Sequence, residues 1–168
     1  MVRMNEFALL LDLEGTVIES WGRPGWLGGQ IEAIGNLARS RAAEGPVKLG
    51  LMSWAVLDDS ELGEFRSRLA GPLEQRLGFR FDPRLTRSMN QWAELVHRDS
   101  WPLFAPATVF QVFDKPSILF WLRGAARSLL PDSVILVDDD LPHGDTIHCQ
   151  GRVIQLINVH ELTAQEAS

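Results

Sequence analysis

Two carboxylates, Asp12 and Glu14, follow the apolar run Phe7-Ala8-Leu9-Leu10-Leu11 and stand directly before Gly15-Thr16. In an extended strand, residues i and i+2 share a face, and a turn at Gly15 lets both carboxylates lean over one cavity. A carboxylate nucleophile beside an acid/base partner is the chemistry such a pair can perform. Burying two carboxylates together is costly unless a cation compensates, so the pair predicts a bound divalent metal. On their own, these five residues read equally well as a strand running into a polar turn.

Three further signals stand at the ends of elements. Ser53 follows the short apolar run Leu49-Gly50-Leu51-Met52. Lys115-Pro116 precedes Ile118-Leu119-Phe120-Trp121-Leu122, which places the lysine at the start of a helix with proline at its first position. A lysine is electrostatically unfavoured at that end of the helix dipole, which argues for a specific partner. Asp138-Asp139-Asp140 closes the buried-strand pattern Val134-Ile135-Leu136-Val137. Asp140 reads as a cap for the following turn. Asp145 reads either as a distal member of the acidic group or as a surface acid.

The ordered set Asp-x-Glu-Gly-Thr, Ser, Lys-Pro, Asp-Asp resembles the motifs of the haloacid dehalogenase (HAD) superfamily of phosphohydrolases, from Phe7 to about Leu156. Glu14 departs from the second Asp of the family's first motif, and this variant is similar to that of the enolase-phosphatase branch. The resemblance implies an α/β fold, a HAD-like Rossmannoid three-layer sandwich around a mainly parallel sheet. It implies Asp12 as nucleophile forming an aspartyl-phosphate and Glu14 as general acid/base. Ser53 and Lys115 would hold the phosphoryl oxygens, with backbone N–H groups near Gly15 adding to the cradle. The implied cofactor is Mg2+, held by Asp12, the backbone carbonyl of Glu14 and one acid of the last motif. Asp139 is favoured as the direct ligand, with Asp138 close behind it. A phosphatase is favoured over a dehalogenase or P-type ATPase, which lack a carboxylate at the place of Glu14. The substrate would be a phosphorylated small molecule or phosphopeptide. The alternative is a catalytically silent relative that binds a partner.

Composition fits one globular domain spanning residues 1–168, with an apolar share of 45% and a charged share of 23%. The net charge of −6 argues against duplex nucleic acid as a main ligand. No apolar stretch has the length of a membrane span, and the first run reaches Asp12 too early for a secretory core. A cytoplasmic protein is expected. The lone Cys149 excludes an internal disulfide and reads as a buried structural thiol.

To position these residues the chain must alternate strands and helices, the pattern of a parallel sheet covered on both faces. Strands are expected over about Phe7 to Leu13, Val47 to Met52, Thr108 to Phe113, Val134 to Val137 and Arg152 to Ile157. Ile31, Ile34, Leu37 and Ala38 recur at helical spacing, after a Gly/Trp-rich loop from Trp21 to Gly29. A helix capped by Asp58 or Ser60 carries Leu62, Phe65 and Leu69 and should stop at Gly71-Pro72. Short helices follow around Leu73 to Leu77 and Met89 to Val96, and a longer one runs from Pro116 to about Leu130. No large cap domain is evident, which in this family often goes with bulky substrates. Trp21, Trp26 and Trp54 lie just after the first two motifs and could either stack on a substrate ring or pack beneath the glycine loop. Trp92, Trp101 and Trp121 read as packing residues. His143 and His148 flank the acidic loop without zinc spacing.

Overall fold

Leu-rich runs without polar alternation belong in strands buried on both faces, and the first of them, β1 (Phe7–Leu11), is buried at every position. A computed structural model describes residues 4–100, 113–122, 129–149 and 151–167. After β1 come α1 (Gly28–Ala42), β2 (Val47–Leu51), α2 (Asp59–Glu64), a π-helical stretch (Phe65–Ala70) and α3 (Gly71–Leu77). Then follow β3 (Phe81–Thr86), α4 (Met89–Ser100), α5 (Lys115–Trp121), β4 (Ser133–Asp138), β5 (Thr146–Cys149), β6 (Arg152–Asn158) and α6 (Val159–Ala167).

The six strands form one sheet in the order β3-β2-β1-β4-β6-β5. All neighbours are parallel except β5, which runs antiparallel to β6. Because side chains alternate across a strand, Phe7, Leu9 and Leu11 of β1 enter one core while Ala8 and Leu10 enter the other. The first core takes Ile31 and Ile34 of α1, Phe65, Leu73 and Leu162. The second takes Trp92 and Val96 of α4 with Ile118 and Leu119 of α5. The result is an α/β/α sandwich of Rossmann-like kind. No helix among the described residues is long and apolar enough to cross a membrane.

Strand order reverses at β1, with β2 on one side and β4 on the other. In open α/β sheets, ligands bind outside the carboxyl ends of the strands at such a switch point. Register sharpens the placement. Leu11 is paired with Leu51 and with Val137, so Asp12, Met52 and Asp138 stand on one level at the carboxyl ends of their strands.

Several expectations change. The helix opened by Asp58, whose carboxylate accepts from Glu61 N at 3.0 Å, does not stop at Gly71-Pro72. It continues through the π-helical stretch, whose wider turns carry the backbone past the proline that lacks an N–H. The run ends at Gly78, left-handed at φ 79°. Gly28 and Gly29 belong to α1, not to the preceding loop. β3 is not among the expected strands; it contains Pro83 and lies at the sheet edge, where proline is tolerated. The short antiparallel β5 was missed as well. The helix after Pro116 ends at Trp121, since Leu122 is extended at ψ 98°. Of the strand expected from Thr108 to Phe113, residues 108–112 lie outside the described residues, as does Trp101. Cys149 is only partly buried on β5, and its thiol donates to the Phe120 carbonyl at 3.3 Å.

Candidate active site

Lys115 is the centre of the arrangement. Asp114 caps α5 by accepting from Ser117 N at 2.9 Å, and Pro116 occupies the first turn. This start directs Lys115 into the protein, where it is 5% exposed. Its ammonium donates to Asp12 Oδ1 at 2.8 Å and to Asp138 Oδ2. Two buried carboxylates from β-strand ends thus share one buried cation. The unfavourable position at the helix dipole is offset by the pair of anions it meets.

Asp12 is also held by Thr16, whose hydroxyl donates to Oδ2 at 3.1 Å. Burial pushes the Asp12 carboxyl above its ordinary value; Lys115 opposes this, Asp138 adds to it, and the hydrogen bond from Ser53 opposes it. Ser53 is buried, and its oxygen accepts from Leu13 N and Ala55 N, each at 3.3 Å. The hydroxyl therefore ties the end of β2 to the loop after β1. Asp138 accepts from Asp140 N at 3.1 Å, so Asp138, not Asp140, supplies the side-chain acceptor for that turn. Asp145 is exposed and does not line the cleft.

Asp139 is partly buried, and its acid is pushed up to about 6 by burial first, then by its hydrogen bond to Asp138 and by the charges of Asp12 and Asp138. One oxygen from each of Asp12, Asp138 and Asp139 lies within 4.8 Å of the others. Three hard oxygen donors gathered this closely could hold a divalent metal ion. A consequence can be measured. Across the window from 3.8 to about 6, folded Asp139 keeps a proton that the unfolded chain has lost. Stability of the metal-free protein should therefore fall as pH rises through that window. Asp139→Asn should flatten the dependence in thermal unfolding, and added Mg2+ should restore stability above it.

Gly15 has φ 74°, and a Cβ there would lie 2.8 Å from Asp139 Cγ. Its N–H donates to the Ile18 carbonyl at 2.8 Å, so in this arrangement the residue supplies space for the acidic loop, not a phosphate donor. Gly15→Ala should cost about 1–3 kcal/mol from the left-handed conformation alone. It should also weaken divalent-cation binding by displacing Asp139, and calorimetric titration with Mn2+ checks this.

Glu14 is exposed at the mouth of the same cleft, and its carboxylate accepts from Trp21 N at 2.8 Å. The cleft measures about 760 Å3 and brings together Asp12, Glu14, Ser53, Lys115, Asp138 and Asp139. Trp54 lines it and is 42% exposed, whereas Trp21 and Trp26 pack against the first core. His143 accepts from Asn158 N at 3.3 Å; His148 is exposed.

Sequence reading missed two supports. Asn158, the last residue of β6, donates through Nδ2 to the carbonyls of Asp139 (3.3 Å) and Leu141 (2.9 Å). Its Oδ1 accepts from His160 N at 3.0 Å, at the start of α6. An asparagine between an apolar strand and a helix is a legible capping signal, though not its reach back to the acidic loop. Gln30, in the orientation that satisfies both ends of its amide, donates to the Thr16 and Gly15 carbonyls at 2.9 and 3.1 Å. No sequence signal marked it.

Set against protein-family models, curated proteins and solved structures, the chain matches none of them.

Proposed function

We propose that the chain is a cytoplasmic, Mg2+-dependent phosphomonoester phosphatase of the haloacid dehalogenase superfamily. One observation carries the reading: Asp12, Ser53, Lys115, Asp138 and Asp139, far apart in sequence, share one cleft at the switch point of the sheet. That set contains a nucleophile, donors for an anion and oxygen donors for a cation.

Asp12 is buried and oriented through both oxygens, by Lys115 and by Thr16. An Asp12 oxygen attacks phosphorus, the bond from phosphorus to the ester oxygen breaks, and Glu14 gives that oxygen a proton. Water then attacks the aspartyl-phosphate while Glu14 takes the water proton. The bond between Asp12 and phosphorus breaks, and inorganic phosphate leaves. Ser53 and Lys115 donate to the phosphoryl oxygens, where charge must be neutralised. Asp12, Asp138 and Asp139 would hold the Mg2+, which when bound offsets negative charge on the phosphoryl group.

A second reading, a silent module that binds a partner, draws on the bond from Trp21 N to Glu14, which engages the acid/base carboxylate. Hydrolysis of p-nitrophenyl phosphate with Mg2+ separates the two. Turnover that stops on chelation and on Asp12→Asn supports the phosphatase. A folded, cation-binding protein without turnover leaves the silent module.

A further inference from the structure

The two loops that carry the crowded acids are each held by a side-chain amide, and the two amides meet at one histidine. On the Asp139 side, Asn158 Nδ2 donates to the carbonyls of Asp139 and Leu141, and the Asn158 backbone N–H donates to His143 Nδ1 at 3.3 Å. The last residue of β6 thus grips the acidic loop at three points. On the Asp12 side, Gln30 of α1 holds the Thr16 and Gly15 carbonyls, and the Thr16 hydroxyl donates to Asp12 Oδ2. His160 joins the two amides. Its backbone N–H donates to Asn158 Oδ1 at 3.0 Å, and its Nδ1 donates to Gln30 Oε1 at 3.2 Å.

These anchors stand on rigid elements. Asn158 is in register with Asp138 at the ends of β6 and β4. Helix α6 starts directly after it and packs Leu162 into the core that takes Ile31 and Ile34 of α1. The gap between the loops is therefore set by the sheet and two packed helices, against acids whose charges repel one another. Outer partners of this kind orient metal ligands and tune the ion they hold. Fit matters most for a small ion. Mg2+ demands near-ideal octahedral geometry at short distances, whereas Ca2+ accepts longer and less regular spacing.

Resting on the metal-dependent reading of this site, we propose that Asn158 and Gln30 are positioning residues that fix the spacing of Asp12 and Asp139 and so tune the site toward a small divalent cation. Loosening either anchor leaves all three carboxylates in place but lets them spread. Mg2+ then loses its fit, and Ca2+ loses much less.

Calorimetric titration of the metal-free protein with Mg2+ and with Ca2+ tests this. Asn158→Ser keeps an oxygen able to cap α6 and removes the amide donors, which separates the hold on the loop from the cap. It should lower Mg2+ affinity on the order of ten- to a hundredfold, the scale on which such outer partners act, and Ca2+ affinity far less. Gln30→Met keeps the length of the side chain, removes its amide and leaves Asn158 intact; it should shift the ratio of the two affinities in the same direction. Should Asn158→Ser fail to fold, Gln30→Met decides alone. A Mg2+ to Ca2+ ratio equal to wild type in either folded variant overturns the inference, and a lowered Tm beside that unchanged ratio identifies a purely structural support. Wild type that binds neither ion removes the metal-dependent reading and this inference with it, whereas binding with unchanged ratios in the variants removes only the inference.

Discussion

Lys115→Met should lower the unfolding free energy of the metal-free protein by roughly 3–5 kcal/mol at neutral pH, the range for stripping a buried charge of its partner. For a chain of this size that is a fall in Tm of about 6–20 °C. The reason lies in what remains. Asp12 and Asp138 would stay buried, both lacking the ammonium that now lies between them. The sign of the pH dependence follows. With the ammonium gone, its opposition to the burial that raises the Asp12 carboxyl is lost, so the destabilisation is largest at neutral pH and shrinks on acidification. Mg2+ should recover part of the stability. Adding Asp12→Asn and Asp138→Asn to Lys115→Met should recover much of the remainder, since a neutral trio carries no unbalanced charge. A Lys115→Met protein as stable as wild type at neutral pH would show that the lysine does not balance these acids.

On the proposed function, Asp12→Asn should reduce turnover of p-nitrophenyl phosphate on the order of a thousandfold or more, the scale on which loss of a nucleophile acts. An amide keeps the shape and can accept from Thr16 but cannot form the acyl phosphate. The same substitution removes one of three crowded carboxylates, so thermal stability should be unchanged or higher. That opposition between activity and stability distinguishes a lost nucleophile from a damaged fold. Glu14→Gln gives a complementary pattern. General-acid loss costs about 10²–10⁴-fold, and the deficit should be smallest with p-nitrophenol, which leaves readily without a proton. A deficit independent of the leaving group would remove Glu14 from the acid role.

Much of the frame was legible before any coordinates. The uninterrupted apolar runs at Phe7–Leu11 and Val134–Val137 implied strands buried on both faces, and both are central in the sheet. Ile31, Ile34 and Ala38 marked the buried stripe of α1. These features are legible because burial leaves a local periodic trace in the residues themselves. Errors fell where a local rule meets a tertiary exception. Gly71-Pro72 signals a stop, yet π-helical turns carry the helix past it; β3, with Pro83, is absent from the expected strands and sits at an edge that tolerates proline. The antiparallel β5 is too short, at four residues, to carry a period of its own.

Residue types and their spacing already mark the groups able to do chemistry: acids at the ends of two buried strands, a serine after a third and a lysine held against a helix dipole. Residue type and spacing along the chain suffice for that, since they set charge, local conformation and the turn that ends each run. It takes the folded sheet to put Lys115 between Asp12 and Asp138, to make Gly15 leave room for Asp139, and to bring Asn158 of β6 under the acidic loop. The bond from Lys115 to Asp12 alone joins residues 103 positions apart, and Gly15 and Asp139 are farther apart still. Such relations depend on strand order and register, which arise from the packing of the whole sheet and leave no mark in any short stretch of the chain.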